Sequence, residues 1–208
     1  MSGPDSASAR LVRHLTAAGE TVACAESLTA GLVAATIADT PGASLVLRGG
    51  VVAYAADVKI ALLEVPEPLV RERGTVDPDV ARAMADGVRD RLAATWGLST
   101  TGVAGPGPAE GKPAGTVHIA VAGPSGTVTR ELRLKGSRGE VRRAATAAVL
   151  DLALAVMTDG ERDDPARATG GNVQTPAPAS GAEGTVDPTA RQQSPDEPGG
   201  GPHDPATT

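Results

Sequence analysis

The sequence predicts an α/β fold, a three-layer α/β/α sandwich on a mixed, mostly parallel sheet. Three observations lead there. Short apolar strand patterns alternate with amphipathic helix patterns through the first hundred residues, which favours parallel pairing with helices on both faces. A hairpin signal, Gly123-Pro124-Ser125-Gly126, joins two later strand patterns and adds antiparallel pairing. Residues 21–31, TVACAESLTAG, begin as a buried strand and end as a helix start, the unit from which open α/β sheets are built.

The elements follow in order. Asp5 or Ser6 caps a first helix, Leu11, Leu15 and Ala18 share one face, and Gly19 ends it. Val22 and Cys24 alternate with Ala23 and Ala25 in the first strand. A helix over 29–38 is closed by Asp39-Thr40-Pro41-Gly42. Residues 45–55 read as the second strand, with Gly49-Gly50 marking a bulge or a close backbone approach. A short helix over 57–63 is broken by Pro66 and Pro68, and another reaches about residue 73. Asp77 caps the next helix and Pro78 takes its first position, where a missing N–H costs nothing. Val80, Met84, Val88 and Leu92 then form one stripe over 79–95. The third strand spans 98–104, a loop follows to Pro113, and the hairpin strands are 115–121 and 127–134. The last helix, 138–157, buries Val141, Ala145, Val149, Leu152 and Val156.

Residues 1–158 are expected to form the domain. Residues 159–208 carry nine acids, three arginines and eight prolines, with Val173 and Val186 as the only large apolar residues. Such a segment cannot bury enough apolar surface to offset its ordering entropy, so a disordered acidic tail is expected. The tail holds the whole net charge of −6, and 1–158 is neutral with sixteen acids and sixteen bases.

Composition excludes several function classes. There is one Trp, one Tyr and no Phe, so no base-stacking platform for single strands exists. No basic stripe marks a nucleic-acid binder. His14, His118 and His203 are scattered without ligand spacing, and Cys24 stands alone, so neither a metal site nor a disulfide framework is expected. There is no signal peptide and no apolar run of membrane-spanning length, so a soluble cytoplasmic protein without membrane contact is expected. The segment GPGPAEGK fails as a phosphate-binding loop, because Pro106 stands at the first glycine position and Pro113 follows the lysine.

The remaining candidates converge on one sheet edge. Ser27 lies at the end of a buried strand, facing the crevice where such sheets bind ligands. The N–H groups of the following helix start suit an oxyanion or a phosphate. Ser27 or Thr29 serving only as a helix cap is the competing reading. In YAADVK, Tyr54 ends a strand and Lys59 lies in the next helix. A desolvated lysine loses proton affinity and pairs with serine as a general base, whereas most lysines are simply solvated. Thr101 and Gly102 end the third strand at the same edge. Arg138 opens the last helix, where a cation opposes the helix dipole, so an anionic ligand explains it better than helix stability does. Arg142 and Arg143 are rivals for that role.

Together these segments resemble the CinA C-terminal domain family. AESLTAG resembles its AESCTGG segment, and GGVVAYAADVK its G-x-V-x-Y-S-N-x-x-K segment. TGVAGPGPAEGKPAGTVHIA resembles its TGIAGPDGG…KPVGTV segment, and GSRGEVRRAAT its G-D-R-x-x-I-R segment. The four blocks occur in family order over about residues 5 to 157. The resemblance implies a nicotinamide-nucleotide amidohydrolase, a hydrolase of linear amide C–N bonds. It would convert nicotinamide mononucleotide to nicotinate mononucleotide and ammonia in pyridine nucleotide recycling. Ser27 would be the nucleophile and Lys59 its base, with Tyr54 assisting proton transfer or orientation. Thr101, Arg138, Thr29, Gly102 and, as a weaker match, Ser44 would line the site. Neither a cofactor nor a metal is implied. The implied partners are a small-molecule nucleotide and a second copy of the chain, since such homologues are often dimers. Leu28 replaces the family Cys, Ala30 a Gly, Ala55-Ala56 a Ser-Asn pair and Gly107-Pro108 an Asp-Gly pair. The changes beside Tyr54 favour the rival reading, a catalytically silent nucleotide-binding or interaction domain linked by family name to competence and DNA damage.

Overall fold

The computed structural model describes residues 5–163. The tail expected beyond them lies outside the described residues. Among the described residues five strands form, β1 (Val22–Glu26), β2 (Leu47–Val52), β3 (Trp96–Gly102), β4 (Thr116–Gly123) and β5 (Gly126–Arg133). They make one sheet in the order β2-β1-β3-β4-β5. β1 runs parallel to both of its neighbours, and β4 and β5 continue the sheet antiparallel. The chain steps from β1 to one side for β2 and returns to the other side for β3. That reversal opens a crevice beyond the carboxyl end of β1.

Six helices of the described residues cover the sheet: α1 (Ala7–Ala18), α2 (Leu32–Ala38), α3 (Ala56–Leu63), α4 (Glu67–Arg73), α5 (Pro78–Arg91) and α6 (Arg138–Asp163). The period-2 alternation of the strands sorts their side chains onto two faces. Val22, Cys24, Leu98, Val117, Ile119 and Val121 meet α1, α2 and α6 in one aliphatic core. Ala23 and Ala25 face the other way and pack with Leu63, Val80, Met84 and Val88 from α3 and α5. Alanines dominate this second face, so α5 lies close to the sheet. Gly87 permits a closer approach still, because a Cβ there would sit 2.0 Å from the Leu63 carbonyl oxygen. The end of α3 is thereby pressed onto α5, and α3 carries Lys59.

Boundaries move where local chemistry intervenes. α2 begins at Leu32 rather than 29, because residues 27–31 form a turn with Ala30 and Gly31 at φ 50° and 96°. A short 3-10 turn, Ala43–Leu45, takes the expected start of the second strand. α5 stops at Arg91, and Ala93 follows at φ 48°. α6 continues to Asp163, past the expected end at 157 and the expected domain boundary at 158. No proline interrupts it before Pro165, and Gly160, the one glycine of the extension, costs a helix only about 1 kcal/mol.

Candidate active site

The turn after β1 is built to present Ser27. Glu26 is 1% exposed, and its side chain lies on the α2 face of the sheet. Its carboxylate accepts from the N–H groups of Gly31 (2.9 Å), Val33 (3.1 Å) and Ala34 (2.9 Å). Those bonds satisfy the start of α2, so neither Ser27 nor Thr29 is its cap. They also correct the expectation that the helix start offers free donors, since a carboxylate already holds them. The Thr29 hydroxyl is buried against the Thr100 hydroxyl at 2.7 Å. On the turn's other side Arg142 donates from Nε to the Leu28 carbonyl (2.9 Å) and from Nη2 to the Thr29 carbonyl (2.7 Å). In a trans peptide the N–H points opposite to the C=O. The Thr29 N–H therefore points away from Arg142. Among the described residues, the N–H groups of Leu28 and Thr29 make no hydrogen bond.

Opposite the turn, α3 delivers Lys59, which is fully buried. Its Nζ donates to Ser27 Oγ (3.1 Å), the Ala53 carbonyl (2.8 Å) and the Tyr54 carbonyl (3.0 Å). Among the described residues, no carboxylate forms an ion pair with it. Burial pulls its pKa down to about 8, against a smaller upward pull from the Glu110 charge. The expected Ser–Lys contact is formed.

Tyr54 contributes in two ways. Its carbonyl holds Lys59, while the residue as a whole is 55% exposed and its hydroxyl accepts from Arg138 Nη2 at 2.8 Å. Its hydroxyl bonds to neither Ser27 nor Lys59, so the geometry supports orientation rather than proton transfer. Arg138 Nη1 also donates to the Gly105 carbonyl (2.9 Å). One guanidinium thus links α6, the end of β2 and the loop after β3.

A model of the CinA C-terminal domain matches residues 4–157. The chain belongs to that family. Similar CinA-like proteins occur in Frankia casuarinae, 55% identical over 132 residues, 64% of this chain and 30% of that protein. Another in Gloeobacter violaceus is 52% identical over 150 residues, 71% and 34% of the respective chains. The chain therefore spans about a third of the length of the curated relatives it matches. Among solved structures, a competence/damage inducible protein from Agrobacterium tumefaciens superposes with TM-score 0.70 at 32% identity, covering 73% of this chain and 93% of that one. A CinA superfamily protein from Escherichia coli gives 0.71 at 26% identity, covering 72% and 88%. The chain is thus a CinA domain of a competence/damage-inducible protein family.

The other residues matched to the family sort less evenly. Ser44 sits in the 3-10 turn before β2, exposed. Val46 pairs with Val22, so Ser44 lies at the opposite end of β1 from Ser27 and is not brought to the site. Gly102 serves strand packing, because a Cβ there would lie 2.6 Å from the Thr116 carbonyl oxygen. Thr101 is fully buried and donates to the Thr75 carbonyl (2.7 Å), fixing the connection before α5 rather than facing open space. Arg143 is directed elsewhere, to a cavity of about 290 Å³ between α1, α2 and α6. Sequence reasoning assigned no role to Glu26 or Glu110. Glu26 could have been suspected, since a carboxylate at the end of an apolar strand needs partners. No local pattern marks Glu110.

Proposed function

We propose that this CinA domain is an amidohydrolase that deamidates nicotinamide mononucleotide to nicotinate mononucleotide and ammonia. One observation carries the chemistry. Lys59 Nζ has three partners, two carbonyls that can only accept and one hydroxyl that can accept or donate. A neutral amine has two N–H bonds and one lone pair. Two N–H bonds on Ala53 and Tyr54 leave the lone pair on the Ser27 hydroxyl. The site thus accommodates both forms, the ammonium donating to all three partners and the neutral amine turning its lone pair to Ser27, and burial that lowers the pKa to about 8 brings the neutral form, which a general base requires, within reach.

The steps follow from that geometry. Lys59 takes the Ser27 proton as Oγ attacks the amide carbon. The N–H groups of Leu28 and Thr29 donate to the oxyanion, and one such donor contributes about 3 kcal/mol to lowering a barrier of this kind. The lysine proton passes to the amide nitrogen, the C–N bond breaks, and ammonia leaves an ester on Ser27. Lys59 then deprotonates a water that attacks this ester. Nicotinate mononucleotide departs and Ser27 recovers its proton. Arg138, at the rim, is the contact for the substrate phosphate.

The test is ammonia and nicotinate mononucleotide formation from nicotinamide mononucleotide. Turnover should rise with pH through about 8 as Lys59 deprotonates, and Lys59→Met should abolish it. A folded protein that releases no ammonia would instead support the binding-domain reading.

A further inference from the structure

The buried carboxylate that closes β1 bonds to neither Ser27 nor Lys59. All three of its partners are N–H groups, Gly31 and Val33 on Oε2 and Ala34 on Oε1. Both oxygens must therefore accept. A carboxylate does so, whereas the amide of glutamine would turn an N–H toward one of the donors. The start of α2 has no other side chain to serve it, because its N-cap is Gly31. Ala30 and Gly31, at φ 50° and 96°, lie where a chain needs to be held, and the three bonds span that bend. Other N–H groups of the turn are taken up locally. Ser27 donates to the Thr100 carbonyl (3.0 Å), Ala30 to the Ser27 carbonyl (3.1 Å) and Leu32 to the Thr29 carbonyl (3.3 Å). With Glu26 on 31, 33 and 34, only the Leu28 and Thr29 N–H groups of the stretch 27–34 are left over among the described residues.

We propose that Glu26 is a positioning residue for the reaction at Ser27. By taking the N–H groups of Gly31, Val33 and Ala34, its carboxylate fixes the 27–31 turn, so that Ser27 Oγ stays on Lys59 and the Leu28 and Thr29 N–H groups stay free for an oxyanion. The inference rests on the Ser–Lys reading. Glu26 acts from the α2 side of the sheet, behind the reacting groups. Ala23 and Ala25 face α3 and α5, the helices on the Lys59 side, and the period of two sends Cys24 and Glu26 the other way. A carboxylate so placed neither meets substrate nor receives a proton from Ser27. Its effect passes through the backbone of the turn alone.

The experiment reads the reactivity of Ser27 in the full chain with an alkyl fluorophosphonate, quantified on the Ser27 peptide by mass spectrometry. Ser27 Oγ bonds to phosphorus, fluoride leaves, and the serine proton passes to Lys59. The unaltered protein should label at Ser27, faster as pH rises through about 8. Glu26→Gln should label about 10- to 100-fold more slowly at every pH, the loss expected when a nucleophile drifts by about 1 Å, with the pH midpoint unmoved. Glu26→Asp keeps two accepting oxygens on a shorter arm and should recover part of the rate. Should Glu26→Gln fail to fold, Glu26→Asp carries the test, with a rate below that of the unaltered protein. A merely structural Glu26 would lower the unfolding midpoint and leave the labelling rate of the folded protein unchanged. That result in a folded Glu26→Gln, or in Glu26→Asp where the first does not fold, overturns the proposal. A shifted pH midpoint also overturns it, since Glu26 would then act on the base. Ser27 left unlabelled in the unaltered protein would remove the Ser–Lys reading and the proposal with it. No nicotinamide mononucleotide is used, so failure of that substrate alone leaves the result standing.

Discussion

At the scale of single residues, the site depends on keeping a lysine where a lysine is costly. Its lowered pKa is also a statement about stability. The folded protein binds fewer protons than the unfolded chain between about pH 8 and the ordinary lysine value of 10.5. Stability from this group therefore rises with pH across that window, by about 3 kcal/mol in all. Cys24 acts in the opposite direction. Burial first, then the Glu26 charge, raises its thiol pKa, so its contribution is lost as pH climbs above the ordinary thiol value. The Lys59 share is isolated by comparing urea unfolding at pH 8 and pH 10 for the unaltered protein and Lys59→Met. The gain should be smaller in the variant, and an equal gain in both would mean that Lys59 is not depressed. Ala30 carries a second local cost. It is exposed at φ 50°, where an L-residue is strained by about 1 kcal/mol. Ala30→Gly should raise the unfolding free energy by roughly that amount, and a loss of stability would contradict the strain.

At the scale of elements, the nucleophile turn is held from both sides, by Glu26 through N–H groups and by Arg142 through carbonyls. On the proposed mechanism Arg142 would act by holding this turn rather than by touching substrate. Arg142→Met should lower kcat about 10- to 100-fold by freeing the donor peptide. KM should change little and the pH midpoint should stay in place. A change confined to KM would place Arg142 against the substrate instead. The same elements show what sequence reveals. Ser27, Lys59 and Tyr54 are legible because each closes or follows a strand end, and parallel strands gather those ends at one edge. Ser44 misleads because motif order does not say which end of a strand a residue occupies. Gly102 and Thr101 lie at the correct edge, yet their contacts run to Thr116 and Thr75, which no local pattern reveals. The contacts of Glu110 are invisible for the same reason, since its partners Val76 and Thr75 lie 34 and 35 residues away. Residues 29–31 of the turn are mistaken for helix because they run directly into the helical pattern, while Gly31 alone hints at positive φ.

At the scale of the whole molecule, the three-layer fold follows from alternation and the hairpin signal, and both are plain in the sequence. Small residues on one face and larger aliphatics on the other fill the core without Phe. Among the described residues, no helix is long and apolar enough to cross a membrane. Every residue assigned to the site lies within 5–163, so removing 164–208 should leave turnover unchanged, and a large loss would place part of the machinery in that segment. The whole arrangement converges on one oxygen atom, Ser27 Oγ. The deciding measurement is ammonia release from nicotinamide mononucleotide by the unaltered protein and by Ser27→Ala, with folding checked in both. Release by the first that vanishes in the second is the expected result. Equal release by both would remove Ser27 from the chemistry and contradict the mechanism.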